Sequence, residues 1–312
     1  FGDDPLRIMR AARFTGQLGF DVDYQVMCAM QEMRQRLEIV SRERIRAELE
    51  RLMISRYPRR GLEMLVWTAV AEQVLPELMD LEGMQDEHKR HKDVWEHSLI
   101  VLDQAIAQET DAEGPCPGPD LVLRLAALLH DIGKPATRRF EGGGVVTFHQ
   151  HDVVGARIAR RRLRELTFDK ATVNAVTHLV ALHQRFHGYG EQEWTDSAVR
   201  RYVTHAGDQL ERLHRLTRAD CTTRNVKKAQ RLSHAYDDLE RRIVELRAKE
   251  ELDAIRPDLN GEQIMQILGL APGREVGAAY KYLLAYRMEH GSVSAQEAET
   301  VLREWWKTWQ NK

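Results

Sequence analysis

An all-α protein with one short β-hairpin is what the sequence predicts, and three observations predict it. Apolar residues recur at helical spacing along nearly the whole chain. Residue types that start and stop helices punctuate that pattern. One stretch, Arg139 to Phe148, breaks it: Gly142-Gly143-Gly144 lies between short apolar segments and reads as a hairpin. With 312 residues, 43% of them hydrophobic, the chain can bury a sizeable core in two or three subdomains.

Asp4-Pro5 reads as an N-cap followed by proline at the first helical position, starting a helix to about Leu18. Ile8, Ala11 and Ala12 give that helix a buried face, while Arg7, Arg10 and Arg13 form a stripe on another. A second helix is expected over Tyr24 to Leu37. A third starts at Ser41, with Glu43 in its first turn and Ile45, Leu49, Leu52 and Met53 facing inward. A fourth runs from Pro58 to Val70. After Pro76 the composition turns polar through Gln85 to His91, a connection into a second unit. Helices at 93–109 and 120–131 then bracket the Gly/Pro loop Glu113 to Pro119. Beyond the hairpin, helical periodicity continues to Ala219, and a long charged helix occupies Val226 to Lys249. A small helical unit containing Asn260-Gly261 and Ala271-Pro272-Gly273 follows.

No apolar run approaches the roughly 18 residues of a membrane span, and no signal peptide is visible. Cys28, Cys116 and Cys221 are odd in number and scattered, which argues against a disulfide framework and for a reducing, cytoplasmic setting. A net charge of −2 advertises no global affinity for nucleic acid, so any RNA binding must come from local patches. Two exist: Arg157, Arg160, Arg161, Arg162 and Arg164 crowd one helix, and Arg224, Lys227, Lys228 and Arg231 start the long one. Such clusters would neutralise phosphates without reading sequence. Trp305, Trp306 and Trp309 read as packing residues rather than base-stacking platforms.

The residues richest in chemistry are Leu128-Leu129-His130-Asp131-Ile132-Gly133-Lys134-Pro135, an apolar helix running into a His-Asp doublet. An adjacent imidazole and carboxylate can bind one divalent ion, with His97 upstream and Asp220 downstream as further ligands. Mixed His/Asp ligation suits Mn, Fe, Ni, Co, Zn or Mg and leaves room for water or a phosphate oxygen. His151 and His183 are candidates for a second ion. Alone, a His-Asp pair more often just ends a helix; the flanking ligands and Lys134, placed to neutralise phosphate charge, favour a phosphohydrolase-type centre. The order His97, His130-Asp131, Asp220 resembles the HD superfamily of metal-dependent phosphohydrolases, which implies an all-helical domain, with His130, Asp131 and Lys134 as its catalytic residues.

The most specific string is Phe1-Gly2-Asp3-Asp4-Pro5-Leu6-Arg7-Ile8-Met9-Arg10-Ala11-Ala12-Arg13-Phe14, closing with Leu18-Gly19-Phe20. Asp4 and Arg7 lie on one helix face and together offer acceptors and a donor fork to a base edge. This segment resembles the nucleotide-selecting motif of class II CCA-adding tRNA nucleotidyltransferases and their bacterial poly(A) polymerase relatives. The resemblance implies that Asp4 and Arg7 recognise CTP or ATP, with Arg10 and Arg13 as further contacts. Asp3 stands where many members have Glu. Val40 to Leu49 resembles the motif that braces the nucleotide-binding helix, and Gly261 to Gly277 the tRNA-gripping body and tail. Poly(A) polymerases usually lack an HD insert and carry a strongly basic tail, which does not fit.

The resemblance thus implies three domains: a nucleotide-selecting, RNA-binding neck over 1–80, an HD domain over 81–222, and a helical, tRNA-binding body and tail over 223–312. It implies CTP, ATP and tRNA as ligands, with Arg160, Arg161, Arg164, Lys227 and Lys228 on the RNA. It implies Mg for nucleotidyl transfer and Mn, Ni, Co, Fe or Mg at the HD site. The family's polymerising head, a Gly-rich turn followed by an Asp-x-Asp pair holding two magnesium ions, has no counterpart here, so the chain reads as the carboxy-terminal part of such an enzyme and is not expected to polymerise alone. The competing readings are a stand-alone HD phosphohydrolase acting on 2′,3′-cyclic or terminal phosphates, and a non-catalytic RNA-binding module.

Overall fold

The structure, a computed structural model, describes residues 1–312 except 85–92, 142–144, 187–188, 190–193, 224, 251–254 and 311–312. Among the described residues the regular elements are helices and one two-stranded hairpin, joined by turns and loops, with an isolated bridge between Thr110 and Pro117. They fall into two compact units: Phe1–His187 with Asp208–Gln230, and Gly188–Gly207 with Arg231–Lys312.

In the first unit, α1 (Arg7–Leu18) buries Ile8, Met9, Ala12, Thr15 and Gly16, the spacing of one helix face. Asp4 accepts from the Leu6 N–H at 3.2 Å, and the Arg7 and Ile8 N–H groups bond back three residues, so Asp4-Pro5 opens a tight turn and the α-helix starts two residues later than expected. α2 (Tyr24–Met33), capped by Asp23, gives way to a 3-10 turn over Arg34–Ile39, where the sequence suggested one helix. α3 (Arg42–Met53) turns Ile45, Leu49, Leu52 and Met53 inward as expected. α4 (Pro58–Trp67) stops before Ala69, whose φ of 54° no α-helix tolerates, and the short α5 (Ala71–Val74) follows. At the crossing of α1 and α4, a Cβ on Gly61 would sit 2.5 Å from the Ala12 carbonyl oxygen, so only glycine permits this approach.

α6 (Val94–Ala107) and α7 (Leu121–Leu129) begin at Asp93 and Asp120, whose carboxylates accept from the Glu96 and Leu123 N–H groups at 2.7 and 2.9 Å. α7 is apolar and almost wholly buried. Its one charged residue, Arg124, is forked onto Glu109 at 2.6 Å and donates to the Met53 and Ser55 carbonyls at the end of α3. This joins the segment expected as a neck to the following helices. A short α8 (Lys134–Thr137) leads into β1 (Arg139–Glu141), which pairs antiparallel with β2 (Val145–Thr147) in the register Arg139 to Thr147; the three glycines lie outside the described residues, as does the polar connection at 85–91. α9 (His151–Glu165) and α10 (Lys170–Leu182) pack together, and a 3-10 turn (His183–Phe186) ends the stretch.

α11 (Asp196–Ala206) departs from the expected grouping: it lies within 81–222 but belongs to the second unit. The buried Arg200 explains this, pairing with Glu250 at 2.8 and 3.0 Å and bonding the Met288 carbonyl. α12 (Leu210–Asp220) returns to the first unit, and α13 (Val226–Lys249) contributes to both. The second unit is completed by α14 (Gly261–Leu268), started by a reciprocal Asn260–Gln263 capping box, α15 (Arg274–His290) and α16 (Ala295–Trp309). Leu259, Ile264, Ala279, Leu283, Ala298 and Leu302 form a core among these, with Trp305 packed on it and stacked on Tyr282. Trp306 and Trp309 stack on each other, and Trp309 is exposed.

Candidate functional site

Five helix positions converge in the first unit. His97 stands on α6, His130 ends α7, His151 begins α9, His183 follows α10, and Asp220 is the last residue of α12. Asp131 lies between them, 2% exposed. His97, His130 and Asp220 form one group with ligand atoms within 4.8 Å of one another, and Asp131, His151 and His183 form another. Asp131 joins the two: its Oδ2 lies 3.2 Å from His130 Nε2 and its Oδ1 3.2 Å from His151 Nε2. Asp220 Oδ1 is 3.0 Å from His97 Nε2 and 3.5 Å from His130 Nε2. Lys134 Nζ sits 2.8 Å from Asp131 Oδ2. His178, His205, His214, His234 and His290 belong to neither group.

The glycine of the His-Asp-x-Gly-Lys string has a structural task here. A Cβ on Gly133 would stand 2.1 Å from the carbonyl oxygen of His151 and 2.6 Å from the Gly155 nitrogen. Its absence lets the start of α8 lie against the first turn of α9, which brings His151 to Asp131.

The donor set fits a divalent ion. His130, His151 and His183 point Nδ1 at the carbonyl oxygens of Ala127, Phe148 and Val180 at 2.8, 2.9 and 2.7 Å. A proton on each Nδ1 leaves Nε2 as a lone pair facing the carboxylates. The Nε2 atoms of His97 and His130 approach to 3.2 Å, a contact that needs a proton on one of them or a metal ion between them.

Charge sets the protonation of the ion-free centre. Burial pushes the His130 imidazole down, but Asp131 and Asp220 outweigh it and raise its pKa to about 10. Burial also opposes ionisation of Asp131 and Asp220; the cations of His130 and Lys134 hold the first well below the carboxylate range, and hydrogen bonds and charge from His130 and His97 do so for the second. His183 is lowered to about 4 by burial and by the charge of His130, which leaves it neutral and ready to ligate. Sequence reasoning overlooked two neighbours: Gln184, whose amide nitrogen is 3.0 Å from His151 Nε2, and Thr222, whose hydroxyl is 3.4 Å from His97 Nδ1. Only their adjacence to His183 and Asp220 could have pointed to them.

The nucleotide-selecting strip is divided. Arg7 and Arg10 are exposed on α1, and Asp4 is half-buried, 3.5 Å from Arg44 of α3. Arg13 departs from expectation. Its Nε meets the buried Glu48 of α3 at 2.6 Å and its guanidinium lies over Phe14, so it braces α1 against α3. Glu48 went unnoticed because it reads as an ordinary charged residue within an amphipathic helix. Asp21-Val22-Asp23 is literally an Asp-x-Asp, but Asp21 pairs with Arg60 and Asp23 caps α2.

The arginine cluster on α9 is partly neutralised. Arg162 holds both oxygens of Glu77 at 3.0 Å, Arg161 lies near Glu77 and Glu165, and Arg160 donates to Asn174. Arg157 and Arg164 are exposed. On α13 Lys227 is exposed and Lys228 half-buried, while Arg224 lies outside the described residues. No helix among the described residues is long and apolar enough to cross a membrane.

The helices and the His/Asp centre define an HD-domain protein: the HD domain family matches residues 94–225. The family described as the probable RNA and SrmB-binding site of polymerase A matches residues 19–81. The A-adding tRNA nucleotidyltransferase of Deinococcus radiodurans is 33% identical over 310 residues, 97% of this chain and 68% of its own length. The CC-adding tRNA nucleotidyltransferase of Thermus thermophilus is 35% identical over 310 residues, 97% of this chain and 67% of its own length. The chain belongs to the tRNA nucleotidyltransferase family that contains these proteins. The fold matches, with a TM-score of 0.64 at 17% identity, a crystal structure of the Bacillus stearothermophilus CCA-adding enzyme with CTP, covering 100% of this chain and 64% of that one.

Proposed function

We propose that the protein serves in adding or repairing the 3′-terminal CCA of tRNA from CTP and ATP, in the manner for which its A-adding and CC-adding relatives are named. The observation that carries this is the similarity over 97% of the chain. A stand-alone phosphohydrolase or a bare RNA-binding module would call for similarity to the HD segment or to the neck alone.

In this reading residues 1–80 select the nucleotide, 81–222 carry the HD centre and 223–312 hold tRNA. Asp4 and Arg7 meet the base edge and Arg10 the phosphates. Arg164 and Lys227, both exposed, are the best placed of the basic residues to meet the RNA backbone. Replacing Arg7 by Ala should weaken CTP and ATP binding by about tenfold or more, as for loss of a bidentate base contact. Unchanged binding in calorimetry would remove the base-edge role.

The HD centre supports metal-dependent phosphoester hydrolysis. His97, His130, Asp131 and Asp220 would hold a Mn, Ni, Co, Fe or Mg ion, and His151 and His183 would serve a second. When bound, such an ion lowers the pKa of a ligated water and polarises a phosphoryl oxygen. Lys134, buried against Asp131 and Phe148, offers a positive charge to an incoming phosphate.

A further inference from the structure

We propose that Thr222 is a positioning residue of the metal centre: its hydroxyl holds the His97 ring in the tautomer and orientation that present Nε2 to the ion. This rests on the metal reading given above. His130, His151 and His183 all use the same device, with Nδ1 directed at the carbonyl three residues earlier. Each stands at a helix end, and the carbonyl it meets can take more than one donor: that of Phe148 also accepts from the His151 backbone N–H at 3.2 Å. His97 is inside α6, which begins at Val94. The Asp93 carbonyl there accepts from the His97 backbone N–H at 3.3 Å, and the Val94 carbonyl accepts from the Ser98 hydroxyl at 3.0 Å. The partner that its Nδ1 faces lies on another element, Thr222 Oγ1, at 3.4 Å.

Thr222 is well placed for this. Its N–H bonds the Asp220 carbonyl at 2.9 Å, closing a tight turn directly after α12. One short segment thus supplies both a ligand, Asp220, and the support of the ligand it faces, His97, 3.0 Å away. A hydrogen bond from Nδ1–H to the hydroxyl leaves Nε2 unprotonated and aimed inward.

The test is calorimetric titration of metal-stripped protein, full chain, with Mn²⁺, for the native sequence, T222V, T222S, H97A and T222V combined with H97A. T222V keeps the side chain's shape, and circular dichroism verifies its fold. The expected result is about tenfold weaker binding of the tighter ion in T222V, native-like binding in T222S, and no further loss when T222V is added to H97A. T222V binding like the native chain, or costing as much in the H97A background, overturns the proposal alone. Native protein that takes up no ion overturns it together with the metal reading.

Discussion

Asp131 uses both oxygens, one toward His151 and the other toward His130 and Lys134, so a single carboxylate touches both His/Asp groups. Asp131→Asn should therefore weaken uptake at both, each by more than the roughly 100-fold upper range for loss of a supporting residue; elemental analysis after gel filtration measures it. His183→Ala should remove only one ion per chain. Proton competition gives a second expectation. His130, raised to about 10, carries its Nε2 proton at neutral pH in the ion-free centre, and a metal ion must expel it. Affinity should thus rise with pH below about 10, with close to one proton released per ion, measurable by calorimetry in buffers of different ionisation enthalpy. The clustering of the doublet with His97, His151, His183 and Asp220 was legible because each stands in a sequence neighbourhood that singled it out as a candidate. Arg13 was not, since the stripe it shares with Arg7 and Arg10 says nothing of Glu48 on another helix.

Elements carry those residues to their places mainly through their ends. Asp23, Asp93, Asp120 and Asn260 all cap as their residue types suggest, and the starts at Asp23, Asp93 and Asp120 were legible to within a residue or two. Where a helix yields to a 3-10 turn, as at Arg34, or breaks at Ala69, the sequence holds no glycine or proline to announce it. The membership of α11 was hidden for another reason: an amphipathic pattern shows that a face is buried, not which partner covers it, and here Arg200 and Glu250 decide. The tightest junction of elements is α8 against α9. Gly133→Ala would press a methyl group on the His151 backbone oxygen, a neighbour that no rotamer change can move. The expected cost is toward the upper end of the roughly 1–3 kcal/mol seen for overpacking, read from denaturant midpoints, with weaker metal binding in the folded fraction. A variant as stable as the native chain would show that α8 can shift freely.

At the scale of the molecule, an exposed arginine strip on α1 and a buried His/Asp centre occur in one compact unit, and the body helices α14 to α16 form a core of their own. The all-α architecture was legible from periodicity alone, whereas the functional reading needed the Asp4 to Phe20 string, because an HD doublet by itself names no substrate. The most direct test is nucleotide incorporation by the protein isolated from its own cells, offered tRNA lacking its terminal CCA with labelled CTP and ATP. Incorporation of C, A or both at the 3′ end, reduced by Arg7→Ala and retained in Asp131→Asn, is the predicted result. A protein that leaves such tRNA unextended, while still hydrolysing phosphoesters through the HD centre, would contradict it.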